Sequence, residues 1–275
     1  MTGTPETGNG TNAAAAGTVT ATGPENTDVH RPRTPIPFRR LLSVEARKLF
    51  DTRSGKILTV CLVILVLAAV IGRGVASGPR LQELIGAAGI GIGTLLPILA
   101  ILTVTGEWSH RTALTTFALE PRRGRVLAAK CLPPLVMALA APLLALLVAV
   151  PVTAVLAGVQ DTPATWEIAP LALLGWTVTN VLVVAAALAL SMLLLNAPAA
   201  IVIYLLAPIL WSAVGGLGTT GRALADWLNL NNTVVPLSAG DMTGGDAARL
   251  AVSVLLWIVV PMAAGVVRVI RKEVS

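Results

Sequence analysis

The chain has 275 residues, of which 55% are hydrophobic and 12% are charged, and its mean hydropathy is +0.80. Because soluble globular proteins carry about 25% charged residues, this composition excludes a soluble enzyme and a disordered chain and indicates a polytopic membrane protein. The formal net charge is +6, but the basic residues flank apolar spans, which favours a membrane protein over a nucleic-acid-binding protein.

Residues 1–33 are rich in Thr, Gly, Ala, Asn and Pro. Between Thr11 and Gly23, Val19 is the one large apolar residue. A segment of this composition cannot bury a core, so we expect a disordered N-terminal tail. The tail lacks the apolar stretch of a signal peptide, and its sequence suggests no function.

Residues 34–55 are expected to form an amphipathic helix on the cytoplasmic side. Five of its apolar residues fall near one face: Phe38, Leu41, Leu42, Leu49 and Phe50. Five basic residues supply the remainder: Arg39, Arg40, Arg47, Lys48 and Arg53. Such a helix can lie on an anionic leaflet. The alternative is a plain juxtamembrane helix that has no partner.

Residues 56–275 contain six apolar stretches that meet or approach the about 20 residues needed to cross a bilayer. The stretches are 57–72, 84–105, 131–157, 168–195, 199–217 and 250–267. Their apolar residues are chiefly Ala, Leu and Val, which favours helices over a β-barrel. The sequence therefore predicts an all-α polytopic protein with six transmembrane helices that follow the amphipathic helix.

The basic residues predict the orientation of these spans. Most of them precede the first span, lie between the second and third spans, or follow the last one. Four arginines fall on the other side: Arg73, Arg80, Arg222 and Arg249. Since Lys and Arg are enriched in cytoplasmic loops, we expect both termini in the cytoplasm of a bacterial cell and a multi-pass protein of the inner (plasma) membrane.

The sequence carries no recognisable catalytic motif. It has no phosphate-binding loop, no Gly-x-Ser-x-Gly turn and only two histidines. We therefore expect no enzyme activity, no metal site and no cofactor bound by this chain itself. The apolar stretches also lack Asp, Glu, Lys, Arg and His, which weighs against transport coupled to an ion gradient.

The polar residues within the spans are mild and include Thr94, Thr103, Thr177, Thr179, Asn180, Ser191, Tyr204 and Ser212. Asn180 is the most costly of these to bury in lipid, so we expect it either to hydrogen-bond a neighbouring helix or to contact a substrate. Gly89 and Gly93 have a Gly-x-x-x-Gly spacing, which suits close packing either within the chain or between two copies of it.

Two loops stand out by their length. The loop 106–130 begins after the second span with Glu107 and ends with a basic turn, and we interpret it as a docking surface; the alternative is a solvated loop. The segment 218–249 is expected on the external side. Within it, Leu224, Trp227 and Leu228 can form an amphipathic or re-entrant turn before Pro236.

Three features of the chain form a pattern. The leader helix carries Glu45, Arg47 and Lys48, and the loop after the second span carries Glu107, Arg111, Thr112, Pro121, Arg122, Arg125 and Lys130. The third feature is the plan of six spans with a long external loop before the last span. In these features the chain resembles the six-helix permease subunits of ABC transporters in the type-two exporter class, in whose first cytoplasmic loop a Glu, a Thr, a Pro, an Arg and a Lys recur at similar spacing.

The resemblance implies a separate ABC ATP-binding subunit that binds ATP and magnesium and contacts these two segments. It also implies a second permease chain, identical or related, and a translocation path lined by spans two and five, which makes Thr94, Thr103, Tyr204 and Ser212 candidate path residues. The expected function is export of a hydrophobic or amphipathic substrate. The alternative is a non-transporting membrane scaffold or sensor subunit that has the same fold.

Overall fold

The computed structural model describes residues 37–109 and 122–271, without the side chains of 107–109 and 123. Helices make up 88% of it, and no strand occurs in these two ranges. Within these ranges, six helices are long and apolar enough to cross a membrane. The chain is therefore an all-α polytopic integral membrane protein. The predicted tail 1–33 lies outside the described residues.

The helices, in chain order, are α1 (Phe38–Asp51), α2 (Arg53–Ser77), α3 (Leu81–Ser109), α4 (Arg123–Val159), α5 (Pro170–Leu194), α6 (Ala197–Gly215), α7 (Gly218–Leu228), α8 (Leu230–Thr233), α9 (Val235–Ala239), α10 (Gly244–Val254) and α11 (Val260–Arg271). A π-helical turn, Leu255–Val259, joins α10 to α11, so that these three segments form the sixth span. The other spans are α2 to α6. Successive spans run in opposite directions, which places α1 at one end of the bundle and α7 to α9 at the other. We call these the α1 end and the hairpin end.

A tight corner fixes α1 against α2. Thr52 ends α1, and its hydroxyl accepts a hydrogen bond from the Gly55 N–H at 3.1 Å, which caps the start of α2. A Cβ atom at Gly55 would lie 1.9 Å from the Leu49 carbonyl oxygen. Glycine at position 55 therefore permits a backbone approach that no other residue allows.

The expected amphipathic helix is present in α1, but its apolar residues do not share one environment. Leu49 is buried against the spans and Leu41 and Leu42 are half-buried, whereas Phe38 and Phe50 are exposed. The corner at Thr52 explains the difference, because it turns α1 so that the Leu49 side packs on α4 and α2. Exposed aromatic residues and basic residues then share the outward side.

Two helix boundaries shorten the predicted 106–130 loop. The second span continues as α3 to Ser109, and α4 begins at Arg123. A basic turn was expected to precede the third span, but the chain is helical from Arg123 onward. Lys130 therefore lies within α4 and not at its first residue. Arg, Lys, Ala and Leu are all good helix formers, so the helix extends past the apolar stretch.

The core is built around α3, which packs against α2, α4 and α5. Ile92 of α3, Val66 of α2 and Leu188 of α5 are among its fully buried side chains. In contrast, α6 and the sixth span keep many large apolar side chains exposed, such as Ile209 and Leu255. Exposed apolar faces on transmembrane helices are suited to contact with lipid or with another chain.

A helical hairpin, α7 to α9, returns into the bundle between α6 and the sixth span. Helix α7 runs back along α6 at close range, since a Cβ at Gly221 would lie 2.1 Å from the Val214 carbonyl oxygen. The chain turns at residues 229–232, and α9 then packs on the start of α5. The expected re-entrant turn is therefore a complete hairpin whose polar tip faces α5 and α6.

Candidate functional site

At the α1 end, one buried carboxylate joins two helices. Glu45 on α1 accepts a hydrogen bond from Lys48 Nζ at 2.8 Å through Oε1 and one from Lys130 Nζ on α4 at 3.0 Å through Oε2. We call these three residues the Glu45 cluster. The side chains of Glu45 and Lys130 are 2% and 5% exposed, whereas that of Lys48 is 43% exposed.

The burial of this cluster makes the Glu45–Lys130 contact structurally important. Removing one partner of a buried ion pair leaves an uncompensated charge, which is strongly unfavourable. The contact therefore holds α1 in one place relative to α4, the third span. A displacement of α1 is transmitted to α4 through a hydrogen-bonded pair, and not only through apolar packing at Leu49.

The cluster brings together three of the ten residues predicted for ATPase coupling. Of the others, Arg47 and Arg122 are exposed and Arg125 is half-buried, all near the α1 end. The backbone of Glu107 lies in α3, and its side chain is outside the described set. The remaining three, Arg111, Thr112 and Pro121, lie outside the described residues, so their placement stays a prediction.

The predicted path residues of α3 and α5 make hydrogen bonds within their own helices. Thr94 and Thr103 donate hydrogen bonds to the carbonyls of Ile90 and Leu99, four residues earlier in α3. Asn180 is buried, and its Nδ2 donates to the Trp176 carbonyl at 2.8 Å within α5. The acceptor belongs to the same helix as Asn180. This bond is therefore neither a hydrogen bond to a neighbouring helix nor a sign of substrate contact.

Gly89 packs within the chain, against α5. A Cβ atom at position 89 would lie 3.2 Å from Trp176 Nε1, whereas nothing lies within 4 Å of the corresponding point at Gly93. The Gly-x-x-x-Gly spacing was expected to serve close packing either within the chain or between two copies of it. The contact at Gly89 is of the first kind.

Tyr204 on α6 makes the one interhelical bond among the predicted path residues. Its hydroxyl donates to the Gly93 carbonyl of α3. That carbonyl precedes Pro97 by four residues, and proline has no N–H with which to complete the helical bond. The Tyr204 hydroxyl thus supplies the donor that the α3 backbone lacks.

Prolines remove backbone hydrogen bonds from several spans, among them α3, α6 and the sixth span. By the same i−4 rule, Pro208 leaves the Tyr204 carbonyl and Pro261 leaves the Trp257 carbonyl without a helical N–H. Trp257 lies in the π-helical turn that immediately precedes Pro261. Prolines and π-helical turns are sites where helices bend, so α6 and the sixth span can bend where they flank the hairpin.

A cleft of two adjoining lobes lies between α5, α6, the hairpin and the π-helical turn. The apolar lobe is lined by side chains that include Leu190, Ile203, Tyr204, Trp211 and Trp257. The polar lobe is lined by residues that include Ser212, Arg222, Asp226, Asn229 and Asn232. Trp211, Asn229 and Asn231 line both lobes, so the two lobes adjoin at these residues.

Two contacts hold the hairpin that forms one wall of this cleft. Trp257 Nε1 donates to the Leu228 carbonyl at 2.7 Å, which satisfies a carbonyl at the end of α7. The buried hydroxyls of Thr233 and Ser253 lie 2.6 Å apart and join α8 to α10. The hairpin is therefore fastened to the sixth span by side-chain hydrogen bonds.

The sequence analysis anticipated Tyr204 and Ser212 but not the other polar residues of the cleft. Arg222, Asp226 and Asn229 belong to a segment that was expected to be external. The available signal was the polar run Asn229-Leu230-Asn231-Asn232 between the amphipathic α7 and Pro236, since such a run marks a chain reversal. Across the described ranges, no group of three or more His, Cys, Asp or Glu residues could hold a metal ion.

In comparisons with known proteins, no family model matches the chain and no curated protein matches it significantly.

Proposed function

We propose that the chain is the transmembrane permease subunit of an ATP-driven ABC transporter in the bacterial inner membrane. It exports a hydrophobic or amphipathic substrate. A separate ATP-binding subunit, which binds ATP and magnesium, docks on α1 and on the 106–130 segment. A second permease chain, identical or related, completes the working unit, and the exposed apolar faces of the spans contact membrane lipid.

The Glu45 cluster is the observation that carries the proposal. An external motor can move the spans only if its contact surface is joined firmly to them. The buried bond from Lys130 to Glu45 provides such a junction, because α1 carries the exposed Arg47 on its outer side and the buried Glu45 on its inner side. Force applied to α1 therefore reaches α4 directly.

The source of energy supports the same proposal. The apolar stretches of the six spans contain no Asp, Glu, Lys, Arg or His, and ion-coupled transporters usually need such a residue inside the bilayer. Nucleotide binding to a partner can shift the permease between two states only through contacts that differ between those states. The proline-weakened helices around the cleft are elements that can adopt two arrangements.

Affinity purification of the tagged full-length chain from native membranes tests the proposal. We expect an ATPase with a complete phosphate-binding loop to copurify in a ratio near one to one. Arg47→Glu should abolish copurification, because it reverses an exposed charge on α1. Arg249→Glu is the matched control, since Arg249 is also exposed but lies at the hairpin end.

Recovery of a partner without a phosphate-binding loop would contradict the proposal and favour the scaffold or sensor function. Equal recovery of the ATPase with both variants would contradict the assignment of α1 as its docking surface.

A further inference from the structure

The cleft between α6 and the hairpin changes in polarity along the direction of the spans. Its apolar lobe reaches Leu190 and Tyr204, which lie toward the α1 end of their helices. Its polar lobe reaches Gly215 and Arg222, which lie toward the hairpin end. A molecule that fits this order has an apolar part in the deeper lobe and a polar part nearer the hairpin end.

The polar lobe presents one charge of each sign. Arg222 and Asp226 lie one turn apart on α7, which places their Cβ atoms about 6 Å apart. Both line the lobe. Among the residues that the structure describes, neither side chain forms an ion pair or a hydrogen bond. A head group that carries both an anion and a cation can pair with both, whereas a singly charged group leaves one of them unmatched.

Asn229 adds an amide donor at the junction of the two lobes. The residue is 4% exposed, and its Oδ1 accepts a hydrogen bond from the Asn231 N–H at 3.1 Å. Its Nδ2 makes no hydrogen bond within the described ranges and remains accessible, and Asn229 lines both lobes. An acceptor oxygen on a bound molecule can therefore accept a hydrogen bond from this amide.

The apolar lobe continues to the outer surface of the bundle. Ile203 lines the lobe and is 40% exposed, and its neighbours Leu206 and Leu210 on α6 are also exposed apolar residues. In a membrane this surface faces acyl chains or another chain. An acyl chain can therefore reach the lobe sideways from the bilayer without passing through water.

We propose that this cleft binds a zwitterionic phospholipid. The phosphate pairs with Arg222, the ammonium group pairs with Asp226, and the Asn229 amide donates to an oxygen of the head group. Part of one acyl chain lies against the aromatic rings of Tyr204, Trp211 and Trp257. The inference names the substrate class of the proposed exporter, and in that respect it rests on the proposed function.

Photo-cross-linking of the purified full-length chain in detergent tests the inference. The probe is lysophosphatidylethanolamine that carries a photoactivatable diazirine in its acyl chain, and mass spectrometry locates the labelled residues. We expect labelling to concentrate on α6 and on residues 228–232. Arg222→Gln should lower this labelling about tenfold, as expected for loss of a charge-assisted hydrogen bond.

Two further variants separate loss of binding from loss of folding. Arg249→Gln removes a basic residue at the hairpin end but outside the cleft, and it should leave labelling unchanged. Asp226→Asn removes the partner of the ammonium group, so it should shift the preference from the zwitterionic probe to an anionic lysophosphatidylglycerol probe. A misfolded variant would lose both kinds of labelling.

Labelling spread evenly over the exposed apolar surface, with no effect of Arg222→Gln, would overturn the inference and indicate ordinary boundary lipid. Equal labelling of the wild-type cleft by zwitterionic and anionic probes would overturn the zwitterionic assignment. The assay needs no ATPase, so failure of the cleft and failure of the proposed function give different results: the first abolishes site-specific labelling, and the second abolishes copurification of an ATPase.

Discussion

The hydroxyl of Tyr204 on α6 donates a hydrogen bond to the Gly93 carbonyl of α3, the carbonyl that Pro97 deprives of its helical N–H. Lipid offers no donor that could replace this bond. The bond also links α6, which has much exposed surface, to the most buried helix of the bundle. The position of α6, and with it one wall of the cleft, thus depends partly on a single hydroxyl group.

Tyr204→Phe should lower the free energy of unfolding by about 1 kcal/mol, because it leaves the Gly93 carbonyl without a donor. Reversible unfolding in mixed micelles measures this difference. The matched experiment repeats the substitution in a Pro97→Ala background, where the alanine N–H restores the helical bond to Gly93. There the effect of Tyr204→Phe should become small, and an equal loss in both backgrounds would contradict the explanation.

Glu45→Gln should loosen α1, because it removes the negative charge that Lys48 and Lys130 contact. The cost expected for disrupting a buried ion pair is about 3 kcal/mol. Amide hydrogen exchange of α1 should accelerate in this variant. Asp51→Asn, which removes an exposed charge from the same helix, is the control; similar exchange rates in the two variants would rule out a special role for Glu45.

Gly55→Ala should open the corner between α1 and α2, since the added Cβ would lie 1.9 Å from the Leu49 carbonyl oxygen. We expect a loss of about 1–3 kcal/mol in the free energy of unfolding. Gly72→Ala provides the comparison within the same helix, because nothing lies within 4 Å of its added Cβ. Alanine favours a helix over glycine, so Gly72→Ala should not destabilise the protein. Equal stability of the two variants would argue against a close approach at the corner.

Trp257→Phe should loosen the hairpin near its tip, because it removes the donor to the Leu228 carbonyl. We expect faster amide exchange over residues 225–233, while the ring of phenylalanine keeps most of the apolar packing. Trp166→Phe, at an exposed position between α4 and α5, should leave these exchange rates unchanged. Unaltered exchange in Trp257→Phe would mean that the Thr233–Ser253 hydrogen bond and apolar packing hold the hairpin without the Trp257 bond.

The six spans and the amphipathic helix were predictable from the sequence. Polar groups are costly to expose to lipid, so a helix that crosses the bilayer needs a long apolar stretch and carries its basic residues at the flanks. The short turn between α5 and α6 also follows from Asn196, whose side chain caps α6 by accepting from the Ala199 N–H. Apolar stretches do not define helix ends, however. Helix α3 continues past its apolar stretch to Ser109, and α4 starts at Arg123, before the apolar stretch of the third span begins.

The candidate sites were predictable only in part. Glu45, Lys48 and Lys130 were selected one by one, and the sequence could not show that Lys130 reaches Glu45 across 85 positions of the chain. The cleft was missed for a different reason. Its charges come from Arg222 and Asp226, and only the packing of α7 along α6 shows that these residues line the same cavity as Trp211.

Site-specific photo-cross-linking from α1 tests the central claim of coupling most directly. A photoreactive amino acid is placed at position 47, exposed on α1, or at position 147, where Leu147 is 73% exposed within α4. The account predicts that position 47 captures a chain with a phosphate-binding loop in native membranes and that position 147 does not. Capture of no such chain at position 47, from protein that is present and correctly inserted, would contradict it.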